Sequence, residues 1–283
     1  MGTVPIPVWI GTAGYSWPDW VGPFYPSGTS AARMLPYYAT QFPAVEINNT
    51  FYRPPTPQQL IKLAARTPPG FRFSLKVPRS VSHERSDADL DPFRRAVDEL
   101  AARDRLIGVV LQFPEAFTNT LANRDWLDRV AAGLRPHPAW VEFRHESWHR
   151  PRLGDWLRER GLDLVAIDVP DLPQLFPRGV VDPGTTRLYV RLHSRVAGNW
   201  YAGGMARYDY DYSDGELREW VVRLTDASPR LTEAHIIFNN CHEFQGIANA
   251  RRLGELLRAE APGFQVMAPP GPPSPRQLSL FEE

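Results

Sequence analysis

The stretch VEFRHESW, residues 141–148, decides how the fold of the whole chain is interpreted. Apolar Val141 and Phe143 alternate with polar neighbours, which is the period of two expected of a β-strand. Glu142 and Arg144 therefore share the opposite face. A carboxylate buried at the carboxyl end of an inner strand is costly unless it is paired or meets a ligand. The stretch therefore predicts a strand that ends in a polar site.

The same succession of strand and helix repeats along the chain. Strands are predicted at residues 8–12, 44–48, 71–77, 107–113, at the opening stretch, and at 163–169, 187–194 and 235–240. Helices are predicted at residues 30–41, 57–66, 90–103, 125–134, 151–160, 214–224 and 247–259, with Pro36 expected to bend or break the first one. This alternation predicts an α/β fold, a single (β/α)8 TIM-type barrel, which typically needs about 250 residues. An open doubly wound sheet is the alternative, although no Gly-rich phosphate fingerprint follows the first strand.

Composition narrows the classes of function. Acidic and basic residues balance at 32 each, so there is no global electrostatic case for nucleic acid or a charged membrane. Cys241 is the only cysteine, which excludes an internal disulfide and a cysteine-based zinc site and predicts a cytoplasmic location. We expect no secretory signal at the N-terminus and no membrane span, because no apolar run approaches the roughly 18 residues required.

Polar residues stand at the carboxyl ends of most predicted strands, and in a barrel these ends meet at one mouth. Buried ion pairs often give no net stability over apolar replacements, so the set favours a ligand site over a polar network that only satisfies itself. The residues at these ends are Glu46, Asn48, Lys76, Gln112, Glu142, Arg144, Asp168, Arg191, His193 and Asn239.

Two chemistries are open for this mouth. The hypothesised catalytic residues Glu46, Glu142, Asp168 and His193 have the right types to bind a divalent metal, the one cofactor considered. Without metal, Glu142 and a second carboxylate could act as acid and base. Arginines beside the carboxylates would neutralise them and weaken the metal case. The hypothesised substrate contacts are Arg144, Arg191, Lys76, Asn48, Asn239, Trp17 and Tyr15, the cationic ones suiting a phosphate or carboxylate.

One motif in the opening stretch matches a known metal-binding pattern but does not fit the structure predicted for it. HESWH, residues 145–149, matches the H-E-x-x-H zinc-protease pattern, which requires both histidines on one helix face. The motif directly follows a strand and Pro151 comes next, so we expect no such helix. His83, after the third strand, could reach the same mouth. Cys241 is expected to be a small buried residue and not a nucleophile.

Seven ordered motifs resemble the YecE-like family, which is labelled domain of unknown function 72. They are IGTAGYSW, FPAVEINNTFYR, FSLKVPRSVSH, LQFP, VEFRHESW, YVRLHSR and FNNCHEFQGIANA. The resemblance implies a TIM-type barrel and no established reaction. The barrel type is similar to that of the endonuclease IV and xylose isomerase group, whose metals bind at this mouth. Their full histidine-rich ligand set is not seen here, so their metal chemistry is not carried over.

The C-terminal residues differ in composition from the rest of the chain. Residues 1–267 are predicted to form the barrel domain and residues 268–283 a flexible, Pro-rich tail. QLSLF in this tail resembles the motif that binds the bacterial DNA sliding clamp; folding back onto the barrel is the alternative. The partner-binding residues would be Gln277, Leu278, Leu280 and Phe281.

The leading hypothesis is an enzyme acting on a phosphorylated or nucleic-acid substrate, such as a phosphodiester hydrolase that the tail brings to DNA. Glu142 would be its acid/base or a metal ligand, and loop aromatics could stack on bases or sugars, although packing is their default role. These aromatics are Trp17, Trp20, Trp200 and Tyr201. The alternatives are a hydrolase or isomerase for a small sugar or metabolite, and a non-catalytic binding protein.

Overall fold

The computed structural model describes residues 4–202 and 204–271 and contains a curled parallel sheet surrounded by helices. The strands are β1 Ile6–Thr12, β2 Ala44–Ile47, β3 Arg72–Lys76, β4 Leu106–Gln112, β5 Ala139–Glu142, β6 Leu162–Asp168, β7 Arg187–Leu192, β8 Glu233–Phe238 and β9 Phe264–Val266. The helices are α1 Ala31–Tyr38, α2 Pro57–Ala65, α3 Arg79–Ser82, α4 Leu90–Ala101, α5 Leu121–Leu134, α6 Leu153–Arg158, α7 Asp214–Ala227 and α8 Gln245–Glu260. In the described part of the chain, no helix is long and apolar enough to cross a bilayer.

The sheet closes on itself between β1 and β2. Its strand order runs from β2 through β8 to β1 and β9, and Ala13 forms a parallel bridge with Glu46 at the carboxyl end of the seam. Gly11 permits this approach, because a Cβ atom there would lie 2.2 Å from the carbonyl oxygen of Ala44. β9, which the sequence did not predict, pairs with the first residues of β1. The predicted (β/α)8 TIM-type barrel is confirmed.

Two connections between strands are irregular. Residues 169–186, between β6 and β7, where no helix was predicted, form no α-helix and pack against the loop after β5. Helix α1 keeps Pro36 inside it and ends two residues later, at Tyr38. Proline cannot donate to the carbonyl four residues earlier, and here Arg66 Nη2 donates to that oxygen, of Ala32, at 2.6 Å.

The register of the strands decides which side chains face the interior. Arg191 of β7 is aligned with Ile167 of β6, and Leu192 with Asp168. Aligned residues point to the same side of a sheet, and Arg191 reaches across the interior. Asp168 therefore faces outward, towards the helices.

Aromatic side chains fill the interior below the mouth. The rings of Trp9 and His235 stack with centroids 5.0 Å apart, and those of Trp140 and Tyr189 lie 5.1 Å apart. Gly108 makes room for this layer, since a Cβ there would lie 2.4 Å from the Trp140 ring. A packed layer of aromatic side chains therefore closes the barrel below the polar mouth, and the interior is not an open channel.

Candidate active site

Three strands that are not sheet neighbours bring Glu46, Glu142 and Arg191 together inside the barrel. Arg191 Nη2 donates to Glu46 Oε1 at 2.7 Å, and Nη1 donates to Glu142 Oε2 at 2.5 Å. Arg191 Nη1 also donates to Gln112 Oε1 at 3.2 Å. Glu46, Glu142 and Arg191 are fully buried. One guanidinium therefore bridges the two carboxylates that the sequence had nominated for catalysis.

A second layer lies above this bridge. Arg144 Nη2 forms an ion pair with Glu142 Oε1 and lies 3.2 Å from His193 Nε2. The same histidine nitrogen is 3.4 Å from Glu142 Oε1, and His193 Nδ1 is 2.8 Å from Asn239 Nδ2. His193 is thus held by hydrogen-bonding groups on both ring nitrogens.

Glu46 has further partners that sequence reasoning missed. Tyr189 donates its hydroxyl hydrogen to Glu46 Oε2 at 2.9 Å, and Ser74 Oγ lies 2.6 Å from the same hydroxyl. Tyr189 precedes Arg191 by two residues on one strand, so the period of two already placed both side chains on one face. That signal could have identified Tyr189.

The electrostatic environment fixes the charge of most groups. Burial alone would raise the pKa of Glu142, but Arg144 and Arg191 hold it well below its usual range. Burial works against the charge of Arg191, yet Glu142 and Glu46 raise its pKa above the ordinary value. Burial lowers the pKa of Arg144 to about 10 and, with Arg144 beside it, that of His193 well below its usual range. At neutral pH the mouth holds an ionised Glu142, two guanidiniums and a neutral imidazole.

Lys76, at the end of β3, differs from these paired groups. Its Nζ lies 4.2 Å from the centre of the Phe51 ring and, among residues 4–202 and 204–271, has no hydrogen-bond or ion-pair partner. Burial and Arg191 lower its pKa to about 7, against the opposing effect of Glu142. His83 packs edge-on against the same ring at 4.9 Å, so it does reach the mouth. Burial and Lys76 lower the pKa of His83 to about 4.

Several buried donors of the mouth lack a partner within the described residues. They are Arg144 Nε and Nη1, Arg191 Nε and Trp17 Nε1. The buried acceptors without a hydrogen bond are Asn48 Oδ1 and Glu142 Oε1, and the second of these forms the ion pair with Arg144. Native proteins leave few buried polar groups unpaired, and each such group calls for an explanation. An excess of unpaired donors, most of them cationic, suits an anionic ligand.

The loop after β7 covers this layer. Arg144 lies under the Trp200 ring, 5.0 Å from its centre, and Arg207 lies 3.8 Å from the same ring. Tyr201, beside Trp200, donates to the Glu115 carboxylate across the mouth at 3.1 Å. Trp200 is therefore only 2% exposed.

Two of the four loop aromatics proposed for stacking on bases are covered, in agreement with packing as their default role. Trp20 is fully buried, and its Nε1 donates to the carbonyl of Cys241 at 2.9 Å. Trp200 is covered as well, because it packs on arginine. Trp17 is half-buried, whereas Tyr201 is 66% exposed. The aromatic loops mainly pack the protein.

Asp168 is not part of the mouth. It faces outward and accepts hydrogen bonds from Arg195 Nη2 at 2.8 Å, Trp220 Nε1 at 2.7 Å and Tyr212 at 3.2 Å. These partners come from the loop after β7 and from α7. The sequence placed Asp168 at the correct strand end but did not determine its side of the sheet.

The hypothesised metal ligands do not fit a metal ion. Within the described ranges, no three His, Cys, Asp or Glu side chains are grouped to hold one. Arg191 engages both Glu46 and Glu142, and Asp168 lies on the other side of the sheet. The zinc-protease pattern fails as expected, since Glu146–Trp148 is a single 3-10 turn and His145 Nδ1 accepts from the Ser147 amide at 3.0 Å.

The remaining predicted residues lie at the edge of the site or outside it. Tyr15 lines a neighbouring surface cavity of about 410 Å³, together with Ile47 and Tyr52. Cys241 is buried, as expected, and burial raises the pKa of its thiol. The tail motif, with Gln277, Leu278, Leu280 and Phe281, lies outside the described residues.

Comparison with known sequences gives relatives but no reaction. The chain is 25% identical to UPF0759 protein YunF of Bacillus subtilis (strain 168) over 293 residues, which cover 97% of this chain and all of the relative. It is 29% identical to UPF0759 protein YecE of Escherichia coli (strain K12) over 173 residues, 57% of this chain and 59% of the relative.

Solved structures agree on the fold. A DUF72 family protein from Thermotoga maritima MSB8 is 34% identical, with a TM-score of 0.80 over 89% of this chain and 99% of the other. D-psicose 3-epimerase from Clostridium cellulolyticum H10 is only 9% identical, with a TM-score of 0.51 over 90% of this chain and 99% of the other, and shares the fold alone. The sequence model described as protein of unknown function DUF72 matches residues 9–277. The chain therefore belongs to the DUF72 family.

Proposed function

We propose that the barrel mouth is an enzyme active site for a small metabolite that carries a carboxylate or phosphate group. The observation that carries the proposal is the set of unpaired, buried donors on Arg144 and Arg191. A buried donor without a partner costs about 1–3 kcal/mol, and more when charged. A bound anion would supply the missing acceptors, and the planar guanidinium suits two-point contact with carboxylate or phosphate.

The reactive side chain of this mouth is better assigned to Lys76 than to Glu142. Two guanidiniums hold the Glu142 carboxylate ionised, which makes it a weak base and no acid at neutral pH. Its role is to fix Arg144 and Arg191 in place. Lys76 is unpaired among the described residues, and its pKa of about 7 matches the requirement for proton transfer near neutral pH.

The contacts favour a small molecule over nucleic acid. Base stacking needs exposed rings, and Trp20 and Trp200 are covered. Net charge is zero, so a DNA duplex meets no general electrostatic attraction. A metal-dependent phosphodiesterase lacks its ligand group within the described residues. A small metabolite is therefore the simpler substrate.

Thermal unfolding with inorganic phosphate and with malonate tests the proposal. Ligand at ten times its Kd stabilises the folded state by about 1.4 kcal/mol, which raises Tm by a few degrees for a chain of this size. We expect this rise in the wild type and its loss in Arg144→Lys, which keeps the charge but not the planar donor set. Exposed Arg152 provides the control, and Arg152→Lys should respond like the wild type. No rise with either anion, or equal loss in both variants, would overturn the proposal.

A separate proposal concerns the tail. QLSLF, residues 277–281, would bind the bacterial sliding clamp by placing its apolar side chains in a pocket of that partner. The Pro-rich residues before it would act as an extended tether. This proposal rests on the motif and is independent of the chemistry of the barrel.

A further inference from the structure

We propose that Lys76 is a nucleophile that forms an imine with the substrate, whose class is then a small aldehyde or ketone bearing a carboxylate or phosphate. A 2-oxo acid and a ketose phosphate are examples. This inference rests on the proposed function, because Arg144 and Arg191 must hold the anionic end of the substrate. It deepens that function by naming the second group that the substrate has to carry.

The geometry leaves the amine of Lys76 available. Lys76 ends an inner strand and, by the register of β3 with β2, shares the interior face with Glu46. A buried lysine would normally pair with such a carboxylate. Here Arg191 occupies both Glu46 and Glu142, and Lys76 Nζ lies against the Phe51 ring instead.

The surroundings also favour the neutral amine, which is the nucleophilic form. Burial and the nearby guanidiniums of Arg191 and Arg144 disfavour the ammonium ion, while Glu142 and Glu46 only partly offset them. With a pKa lowered to about 7, the free amine is accessible near neutral pH, unlike that of an exposed lysine. Desolvation and a neighbouring cation both activate a lysine as a nucleophile by lowering its pKa.

The reaction at Lys76 is balanced without an oxidant or reductant. The Nζ lone pair attacks the carbonyl carbon, a C–N bond forms, and the C=O π pair moves to oxygen. The amine nitrogen loses two protons in total. The former carbonyl oxygen takes up two protons, its bond to carbon breaks, and it leaves as water. One amine and one carbonyl therefore give one imine and one water. The imine can then withdraw electrons from the adjacent carbon of the substrate.

The composition of the chain makes the inference easy to test. Lys62 and Lys76 are the only lysines among 283 residues, beside 30 arginines. Lys62 is exposed on α2, away from the barrel interior. The full chain therefore offers three primary amines, Lys62, Lys76 and the α-amino group, and peptide mapping separates them.

The experiment is reductive trapping of the full-length protein. Pyruvate, glyoxylate or dihydroxyacetone phosphate is added with sodium borohydride, which supplies the hydride that reduces an imine to a stable amine, and the adduct is located by mass spectrometry. We expect one adduct per chain on the Lys76 peptide, in wild type and in Lys62→Arg. In Lys76→Met it should fall at least tenfold, with circular dichroism confirming the fold. Inorganic phosphate should compete with trapping.

Two outcomes would overturn the inference. The first is no trapping at Lys76 with any of the three compounds; the second is equal trapping on Lys62 and Lys76. Lactate, which carries a carboxylate but no ketone or aldehyde, separates this failure from that of the proposed function. Stabilisation by lactate or phosphate without trapping at Lys76 would rule out the imine proposal but not the anion site. If neither stabilisation nor trapping occurs, both proposals are ruled out.

Discussion

Arg191 Nη1 lies 2.5 Å from Glu142 Oε2, although β6 separates their strands in the sheet. The contact therefore crosses the barrel interior. Because the same guanidinium also engages Glu46, it fixes the charge of the mouth and prevents the carboxylates from pairing with Lys76. The chemistry proposed for Lys76 depends on this arrangement.

Arg191→Met should destabilise the protein by about 3–5 kcal/mol, because it leaves two buried carboxylates without their cation. Urea unfolding measures the loss. Arg218→Met, which breaks a surface pair with Glu260, is the control and should cost about 0–1 kcal/mol. The native pKa of Glu142 lies below its unfolded value, so its contribution to stability is present above about pH 4.5 and is lost as pH falls. The two variants should therefore converge in acid; equal losses at pH 7 would contradict the bridge.

Asp168→Asn should cost about 3–5 kcal/mol of stability without changing anion binding or trapping at Lys76. Its carboxylate stabilises Arg195, Tyr212 and Trp220 on the outer side of the sheet. Asp226→Asn, on an exposed part of α7, is the control and should change stability by less than about 0.5 kcal/mol. A loss of anion binding at unchanged stability would assign Asp168 to the mouth after all.

Lys76→Met should raise the free energy of unfolding at pH 7, and the gain should shrink as pH rises towards 10. The folded pKa of about 7 lies below the unfolded value of 10.5, so unfolding takes up a proton between these limits. Wild-type stability then rises with pH by at most about 1.4 kcal/mol per unit. The charged groups that act on this pKa are Arg191, Glu142, Glu46 and Arg144, and the neighbouring titratable group His83 is uncharged in this range.

Denaturant midpoints of the wild type and of Lys76→Met, measured from pH 6 to 10, give the difference in their stability. Lys62→Met removes one charge from exposed helix α2 and reports the change that does not involve the mouth. A gain for Lys76→Met that stays constant across this range would show that the folded protein does not perturb Lys76.

Replacing Leu280 and Phe281 with Ala should abolish capture of the protein by an immobilised bacterial sliding clamp. Both side chains are apolar and would fill the pocket on the partner. Ser279→Ala is the control and should be captured like the wild type. Unchanged capture of the double variant would end the clamp proposal and leave the barrel chemistry untouched.

Much of the fold could be read from the sequence, because the buried parallel strands form short apolar runs that alternate with segments of helical spacing. All eight barrel strands were placed within a few residues. β9 was missed because Phe264–Val266 is only three residues long and shows no period. No helix was predicted for residues 169–186, between β6 and β7, and the structure has none there.

The site was predictable only in part, for a physical reason. Residue type and strand end identified Glu46, Glu142, Arg144, Arg191 and His193. Which of them pair is decided across the barrel, between strands far apart in the chain, and no local pattern carries that information. The face of Asp168 and the unpaired state of Lys76 emerged only from the register and the contacts.

The most direct test of the central claim is a crystal structure of the protein grown with phosphate or malonate. We predict an anion at the barrel mouth within hydrogen-bond distance of Arg144 Nε or Nη1 and of Arg191 Nε, the buried donors without partners in the described residues. An anion found only elsewhere, with these three atoms occupied by protein groups, would contradict the account.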